Sequence, residues 1–344
     1  MASPQRLVFL GSDAIALPLL DWLAGEGAPW ATLVAVFTGP DRPAGRGQEV
    51  RPNPVKAWTA GRGLPVFQPE RLDEAARERL AALAPDLSLV VAYGHILREP
   101  FIRTPRLGTW NLHASLLPRH RGASPIQTAV AAGDRETGMS LMRIVRELDA
   151  GPVADVERVA IGPLDTAREI QARMGAACIP LLARALAEVG RGGLHFREQD
   201  AAAATFCRRL DKADGVLDFT APAAALAARI NGLYPWPCAA VSVAGQTLKL
   251  GLAEAIGDAD GSAGVPGLGG AGALPPAPGT VLGSDARGVR IATGAGVLRL
   301  LRLQRAGGRL LDAPEFLRGC PLPAGLRLPS GPMTPLTAAT PFRR

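Results

Sequence analysis

Asn111 and His113 stand two residues apart at the end of an apolar run, in the stretch NLHASLLPRHRGASPI from Asn111 to Ile126. On an extended segment, side chains two apart share a face. An amide and an imidazole on one face can aim donors at an oxygen that becomes negative in a tetrahedral intermediate, which is what acyl transfer demands. Such a site needs a third group to set the imidazole's protonation and to manage the proton leaving the nucleophile. Asp149, in RELDAGPV, is the acid nominated: it follows an apolar strand-like run and sits at an Ala-Gly turn. A carboxylate beside an imidazole favours its charged, two-donor form. Spacing alone leaves a second reading open, because Asn and His at a strand end also make a polar turn, and Asp close to Gly is common in turns. His95 and His120 read as polar rim residues, and His195, just past GRGG, as exposed. Ser115 lacks a nucleophile-elbow context, so no Ser-His-Asp arrangement stands out.

These residues need a scaffold. RLVFLGSD, ATLVAVFTGP, LPVFQP, DLSLVVAYG and GTWNLHAS read as strands, and AIALPLLDWLAGEG, NPVKAWTAGRG and LDEAARERLAAL as intervening helices. That alternation predicts an α/β fold with a doubly wound, mostly parallel sheet. Its strands are apolar on both faces, as expected where helices cover both sides. In such sheets ligands bind outside the carboxyl ends of the strands, where VVAYG and WNLHAS finish. GMSLMRIV and GPVADVERVAI read as two further strands. A long amphipathic helix follows, with Ile170, Met174, Ile179, Leu182 and Leu186 near a 3.6-residue period. From about Thr205 the pattern changes to short strands split by Gly turns (GVLDF, AAVSVAGQTLKLGLAEAI, GTVLGSDARGVRIATGAGVLRLLRLQRAG), with one helix-like piece, APAAALAARINGL. This predicts a small barrel-like β domain. The division expected is 1–190, a linker at 191–204, 205–330, and a Pro-rich, poorly ordered tail at 331–344. Gly257 to Gly279 reads as a flexible low-complexity loop.

Composition narrows the partners. The 344-residue chain carries a formal net charge of +7, and only Lys56, Lys212 and Lys249 are lysines. Arginine suits bidentate phosphate contacts, and a GC-rich genome produces the same bias. The four cysteines (Cys178, Cys207, Cys238, Cys320) form no CxxC or Cys/His cluster, so neither a metal site nor a disulfide framework is indicated. There is no signal-peptide pattern and no run long enough to span a membrane. The expectation is a soluble, reduced, cytoplasmic protein without a membrane partner. TGPDRPAGRGQEVRPNPV (Thr38 to Val55) is long for a connection inside a compact domain, and its Arg42, Arg46 and Arg51 could grip phosphates or simply be solvated. We expect residues 39–54 to be mobile without a partner. FLGSD is not a GxGxxG and no GxxxxGK[ST] occurs, so neither a dinucleotide site nor a P-loop is supported.

With these motifs in view, NLHASLLPRHRGASPI resembles the signature of the folate-dependent formyltransferases, and DRPAGRG resembles the loop of those members that act on tRNA. The resemblance continues through VVAYGHIL, AAGDRETGMSLMRIVRELDAGPV, RRLDKADGVLDF, YPWP and LRLLRLQRAGG, nearly the full length. It implies a Rossmann-like domain that binds 10-formyltetrahydrofolate, followed by an OB-like barrel that helps hold tRNA. It implies catalytic roles for Asn111, His113 and Asp149 and a folate-contacting wall of Ser115, Leu116, Leu117 and Pro118. It also implies tRNA contacts from Arg42 and Arg46. The implied reaction moves a formyl group to the α-amine of methionine on initiator tRNA, with no metal, in a monomer. The trio marks the donor chemistry rather than the acceptor, so another amine, on a sugar nucleotide or glycinamide ribonucleotide, is the rival. A non-catalytic tRNA- or folate-binding relative is the other. The sequence departs from the family pattern at Gly11-Ser12-Asp13 (usually Gly-Thr-Pro), at Asn231 (usually Arg) and at His120 (usually Trp).

Overall fold

The computed structural model describes residues 3–44, 47–257 and 275–342. The described chain divides into two compact units. One holds residues 3–122, 137–159 and 171–205; the other holds 123–136, 160–170 and the chain from 206 onward.

The first unit is built on a seven-stranded sheet. Its strands are β1 (Gln5–Gly11), β2 (Ala31–Phe37), β5 (Val66–Phe67), β6 (Leu87–Val91), β7 (Thr109–His113), β9 (Glu136–Arg143) and β10 (Val153–Ala160), in the order β10-β9-β7-β6-β1-β2-β5. β5, β2, β1, β6 and β7 run parallel, and β9 joins β7 antiparallel. The chain winds outward from β1 through β2 to β5, then restarts at β6 on β1's other side. The carboxyl ends of β1 and β6 therefore form a switch point, where an open α/β sheet leaves a crevice for a ligand. All five residues of β6 are buried, which matches a strand covered on both faces. The covering and connecting helices include α1 (Leu17–Ala24), α2 (Pro54–Thr59), α3 (Glu74–Ala82) and α4 (Glu99–Ile102). Phe37, Leu80, Val90 and Phe101 close one side of the sheet in a single apolar cluster.

Two local results differ from the sequence expectation. The stretch from Thr38 to Val55 is not structureless: β3 (Arg42–Ala44) and β4 (Glu49–Arg51) pair as an antiparallel ribbon. Asn53 fastens its end, accepting from the Thr38 hydroxyl at 2.9 Å and from Lys56 N–H at 3.0 Å while donating to the Gly39 carbonyl at 3.0 Å. A two-residue strand, β8 (Arg121–Gly122), closes the polar stretch after β7. The long amphipathic helix is present as α6 (Ala167–Gly190) and continues through Pro180.

The second unit contains α5 (Pro125–Ala131), α7 (Ala223–Leu233), α8 (Ala313–Gly319) and an antiparallel sheet. Its strands are β12 (Ala239–Val243), β13 (Gln246–Ile256), β14 (Val281–Ser284), β15 (Val289–Ala292), β16 (Val297–Arg305) and β17 (Leu310–Asp312). They order as β12-β13-β16-β15-β14, with β17 on β16. Ala244 and Gly245, both at positive φ, make the two-residue turn between β12 and β13, the geometry that suits hairpin twist. The core joins Phe219, Leu226, Ile230, Leu250, Leu298 and Leu300. GVLDF is not a strand; a 3₁₀ turn at Lys212–Gly215 precedes it, and Leu217 and Phe219 plug the core instead. The tail is also more structured than expected: β18 (Thr337–Ala338) pairs with β11 (Phe206–Cys207), and Leu336 is buried beside it. Most of the low-complexity loop, residues 258–274, lies outside the described residues.

Candidate active site

β7 carries both nominated donors. It is flanked by β6, where Asn111 lies level with Val90, and by β9, where Asn111 faces Met142 and His113 faces Ser140. Ladder bonds on two sides fix the strand, so Asn111 and His113 share one face as their spacing requires. Asn111 is half-buried and His113 is buried.

The imidazole lies between two oxygens. Nε2 is 3.1 Å from the carbonyl of His120, which can only accept, so Nε2 carries the proton there. Nδ1 is 3.6 Å from Oδ2 of Asp149. At that separation the pair is an electrostatic contact rather than a hydrogen bond. The nominated acid thus reaches the nominated histidine across 36 residues of chain. Oδ2 of Asp149 also accepts the Gly122 N–H at 2.9 Å. Asp149 itself sits at φ 49°, a left-handed turn conformation that Asp tolerates better than most residues.

The segment after His113 is held by its own bonds. Ser115 is fully buried, and its hydroxyl donates to the Arg119 carbonyl at 2.6 Å. Ser140 on β9 donates to the Ser115 carbonyl at 2.7 Å and accepts the Leu117 N–H at 3.1 Å. Leu116 packs over Gly138, where a Cβ would come within 2.6 Å of it. Leu116, Leu117 and Pro118 are half-buried. His120 is not at the rim: it is 4% exposed at φ 54°, with its N–H donated to the Thr205 hydroxyl at 2.9 Å. A left-handed backbone here turns its carbonyl toward His113.

Of three neighbours of the trio, Arg121 and Gly122 lie within the NLHASLLPRHRGASPI signature and only Gln199 carries no sequence signal. Arg121 is buried, and burial pulls its guanidinium below the ordinary arginine value against the opposing charge of Asp149. Gly122 supplies a backbone donor, which any residue could offer. Gln199, in the segment expected to be a linker, spans from Arg121 to the Asp149 turn. A lone Gln among polar residues has no pattern that would have flagged it.

A cleft of about 470 Å³ opens at the switch point, lined in part by Ser12, Gly39, Arg42, Arg51, Tyr93 and His95. Arg42 lies on the ribbon and faces this cleft. Burial, then the Arg42 cation, hold His95 below the ordinary histidine range. Arg46 lies outside the described residues. Among the departures, Ser12 accepts the Gly39 N–H at 2.9 Å, and Asp13 caps the turn that opens α1. Asn231 is a core group of the second unit, exchanging bonds with Ala253 N–H and C=O at 2.9 and 3.0 Å. Among the described residues, no His, Cys, Asp and Glu cluster is placed to hold a metal, and no helix is long and apolar enough to cross a membrane.

A doubly wound sheet followed by an antiparallel β domain, with these residues at the strand ends, defines a class that comparison with known proteins makes specific. The family model described as formyl transferase matches residues 5–186, and the one described as formyl transferase, C-terminal domain, matches residues 209–321. Methionyl-tRNA formyltransferase of Methylococcus capsulatus is 40% identical over 325 residues, covering 94% of this chain and 99% of its own. That of Bordetella bronchiseptica is 43% identical over 328 residues, covering 92% and 99%. The chain belongs to the methionyl-tRNA formyltransferase family. In fold, it is similar to the solved methionyl-tRNA formyltransferase of Clostridium thermocellum, at a TM-score of 0.52 and 14% identity, covering 73% of this chain and 93% of that one.

Proposed function

We propose that this protein transfers the formyl group of 10-formyltetrahydrofolate to the α-amine of methionyl initiator tRNA. The observation that carries the chemistry is the His113 ring held between the His120 carbonyl and Asp149, two residues along from Asn111 on the same strand face. The amine nitrogen attacks the formyl carbon; the new C–N bond forms as the bond to the folate nitrogen breaks. Asn111 and the His113 ring stabilise the intermediate's oxyanion. Because Nε2 is committed to the His120 carbonyl, Nδ1 is the ring nitrogen able to serve a substrate oxygen. Asp149 keeps the ring oriented, and it takes the amine's proton, directly or through water, for delivery to the leaving nitrogen. Positioning two large substrates supplies much of the remaining acceleration.

Leu116, Leu117 and Pro118 line the folate side. Ser115 contributes through the loop it ties, since its hydroxyl is already spent on Arg119. Arg42 and Arg46 meet the acceptor end of the tRNA. We assign donor binding and chemistry to residues 1–190 and tRNA support to residues 205–330, with 191–204 joining them. The working form is a cytoplasmic monomer that needs no metal. The test is formylation of initiator and elongator methionyl-tRNA side by side with 10-formyltetrahydrofolate. Transfer to the initiator species is expected. Transfer to a sugar nucleotide with none to charged tRNA overturns the assignment.

A further inference from the structure

Gln199 uses its whole hydrogen-bonding capacity at the back of the site. Its Nε2 donates to the carbonyls of Asp149 at 2.8 Å and Gly151 at 2.7 Å. Its Oε1 accepts from Arg121 Nε at 3.1 Å and Nη2 at 2.8 Å. Two donors and two acceptors are all that a primary amide has, and only this orientation of the amide suits the four partners. One side chain therefore ties two separate walls together. The first is the left-handed turn that carries Asp149. The second is the Arg121–Gly122 strand, whose Gly122 N–H bonds the Asp149 carboxylate. The His120 carbonyl that holds Nε2 of His113 is the residue just before that strand.

We propose that Gln199 is a positioning residue for formyl transfer, fixing the Asp149 turn against the 120–122 segment so that carboxylate, imidazole and amide keep their alignment. This deepens the function proposed above and rests on it. Gln199 touches no reacting atom. Its effect passes through the main chain of Asp149 and Gly151, which is why the residue carries no mark in the sequence. Accepting hydrogen bonds from buried Arg121 is a separate task that a carboxylate could perform as well. Glutamate at 199 separates the two. It keeps one oxygen for Arg121 but turns its other oxygen toward the carbonyls of Asp149 and Gly151 in place of the NH2 group.

The experiment compares Gln199→Glu, Gln199→Leu and the exposed-neighbour control Glu198→Gln with the wild-type full chain. Steady-state formyl transfer is measured, and so are the ¹⁵N resonances of the His113 ring, assigned against His113→Ala. Misplacement of a reacting group by an ångström costs about 10²-fold. Both Gln199 variants are therefore expected to lose about 10²-fold in kcat, with KM for either substrate within about threefold, and to shift the His113 resonances. Glu198→Gln should match wild type in both. The inference is overturned if Gln199→Glu keeps wild-type kcat while Gln199→Leu does not, because the residue then serves Arg121 alone. It is also overturned if both variants keep kcat within about twofold, or if neither moves the ring resonances. A wild type that transfers no formyl group rejects the function itself, and the ring resonances then decide the positioning role alone.

Discussion

His113 is flanked by a carbonyl on one ring nitrogen and a carboxylate near the other. Nε2 is committed to the carbonyl, which leaves Nδ1, not hydrogen-bonded to the carboxylate, as the side of the ring that can meet a substrate oxygen. Asp149→Asn keeps an oxygen for the Gly122 N–H but removes the charge. It is expected to lower kcat by about 10²–10³-fold, the scale of losing one oxyanion-stabilising group. His113→Ala should cost at least as much. Turnover unchanged in either variant, with the protein folded by circular dichroism, would remove the trio from the mechanism. Asn111 and His113 were legible as a pair because β-strand geometry makes the two-residue spacing a shared face. The buried place of His120 was not, because its left-handed backbone depends on Thr205, 85 residues away.

At the scale of elements, the turn after β9 is the exacting one. Gly151 lies so close to β9 that a Cβ would fall 1.9 Å from the Arg143 carbonyl oxygen. Gly151→Ala must push the turn away, and overpacking of this kind costs about 1–3 kcal/mol. The expected result is a lower melting temperature together with a fall in kcat, since Asp149 moves with the turn. A variant with wild-type melting and turnover would show that the turn tolerates displacement. The sequence marked this turn by its Asp-Ala-Gly, yet could not say that β9 would press against it. Likewise the arginine-rich stretch read as a long loop because its ribbon strands are three residues each, too short for alternation to register.

For the molecule as a whole, charge acts in two ways. Asp214 is buried in the second unit and paired with Arg208. Burial alone would raise its carboxyl; the Arg208 hydrogen bonds and the Asp211 N–H outweigh it and hold the group below the usual 3.8. A carboxyl depressed in the folded state adds stability that is present above the unfolded value and lost as pH falls through the folded one. Unfolding by denaturant should therefore become easier below about pH 4. Asp214→Asn should flatten that acid limb while costing roughly 3 kcal/mol at neutral pH, as breaking a buried pair does. An acid limb unchanged by this substitution would assign it elsewhere. The net charge of +7 bears on the second way. Affinity for tRNA should fall steeply with added salt as phosphate contacts release counterions. Filter binding at two salt concentrations reads this, and a flat response would remove the basic surface from recognition.

The sequence by itself determined the main alternation of strands and helices, the doubly wound class of the first unit and the shared face of Asn111 and His113 on β7. Periodicity and spacing are local, and the chain writes them directly. It also nominated Asp149, from a turn after a strand-like run and from the family resemblance, without any sign of its distance from His113. Only the tertiary structure decided that 3.6 Å contact, the burial of His120, the core position of Asn231 and the four bonds of Gln199. Each joins residues far apart in the chain, several of them through backbone groups that every residue type possesses, and neither distance nor such groups leave a trace in a string of side chains.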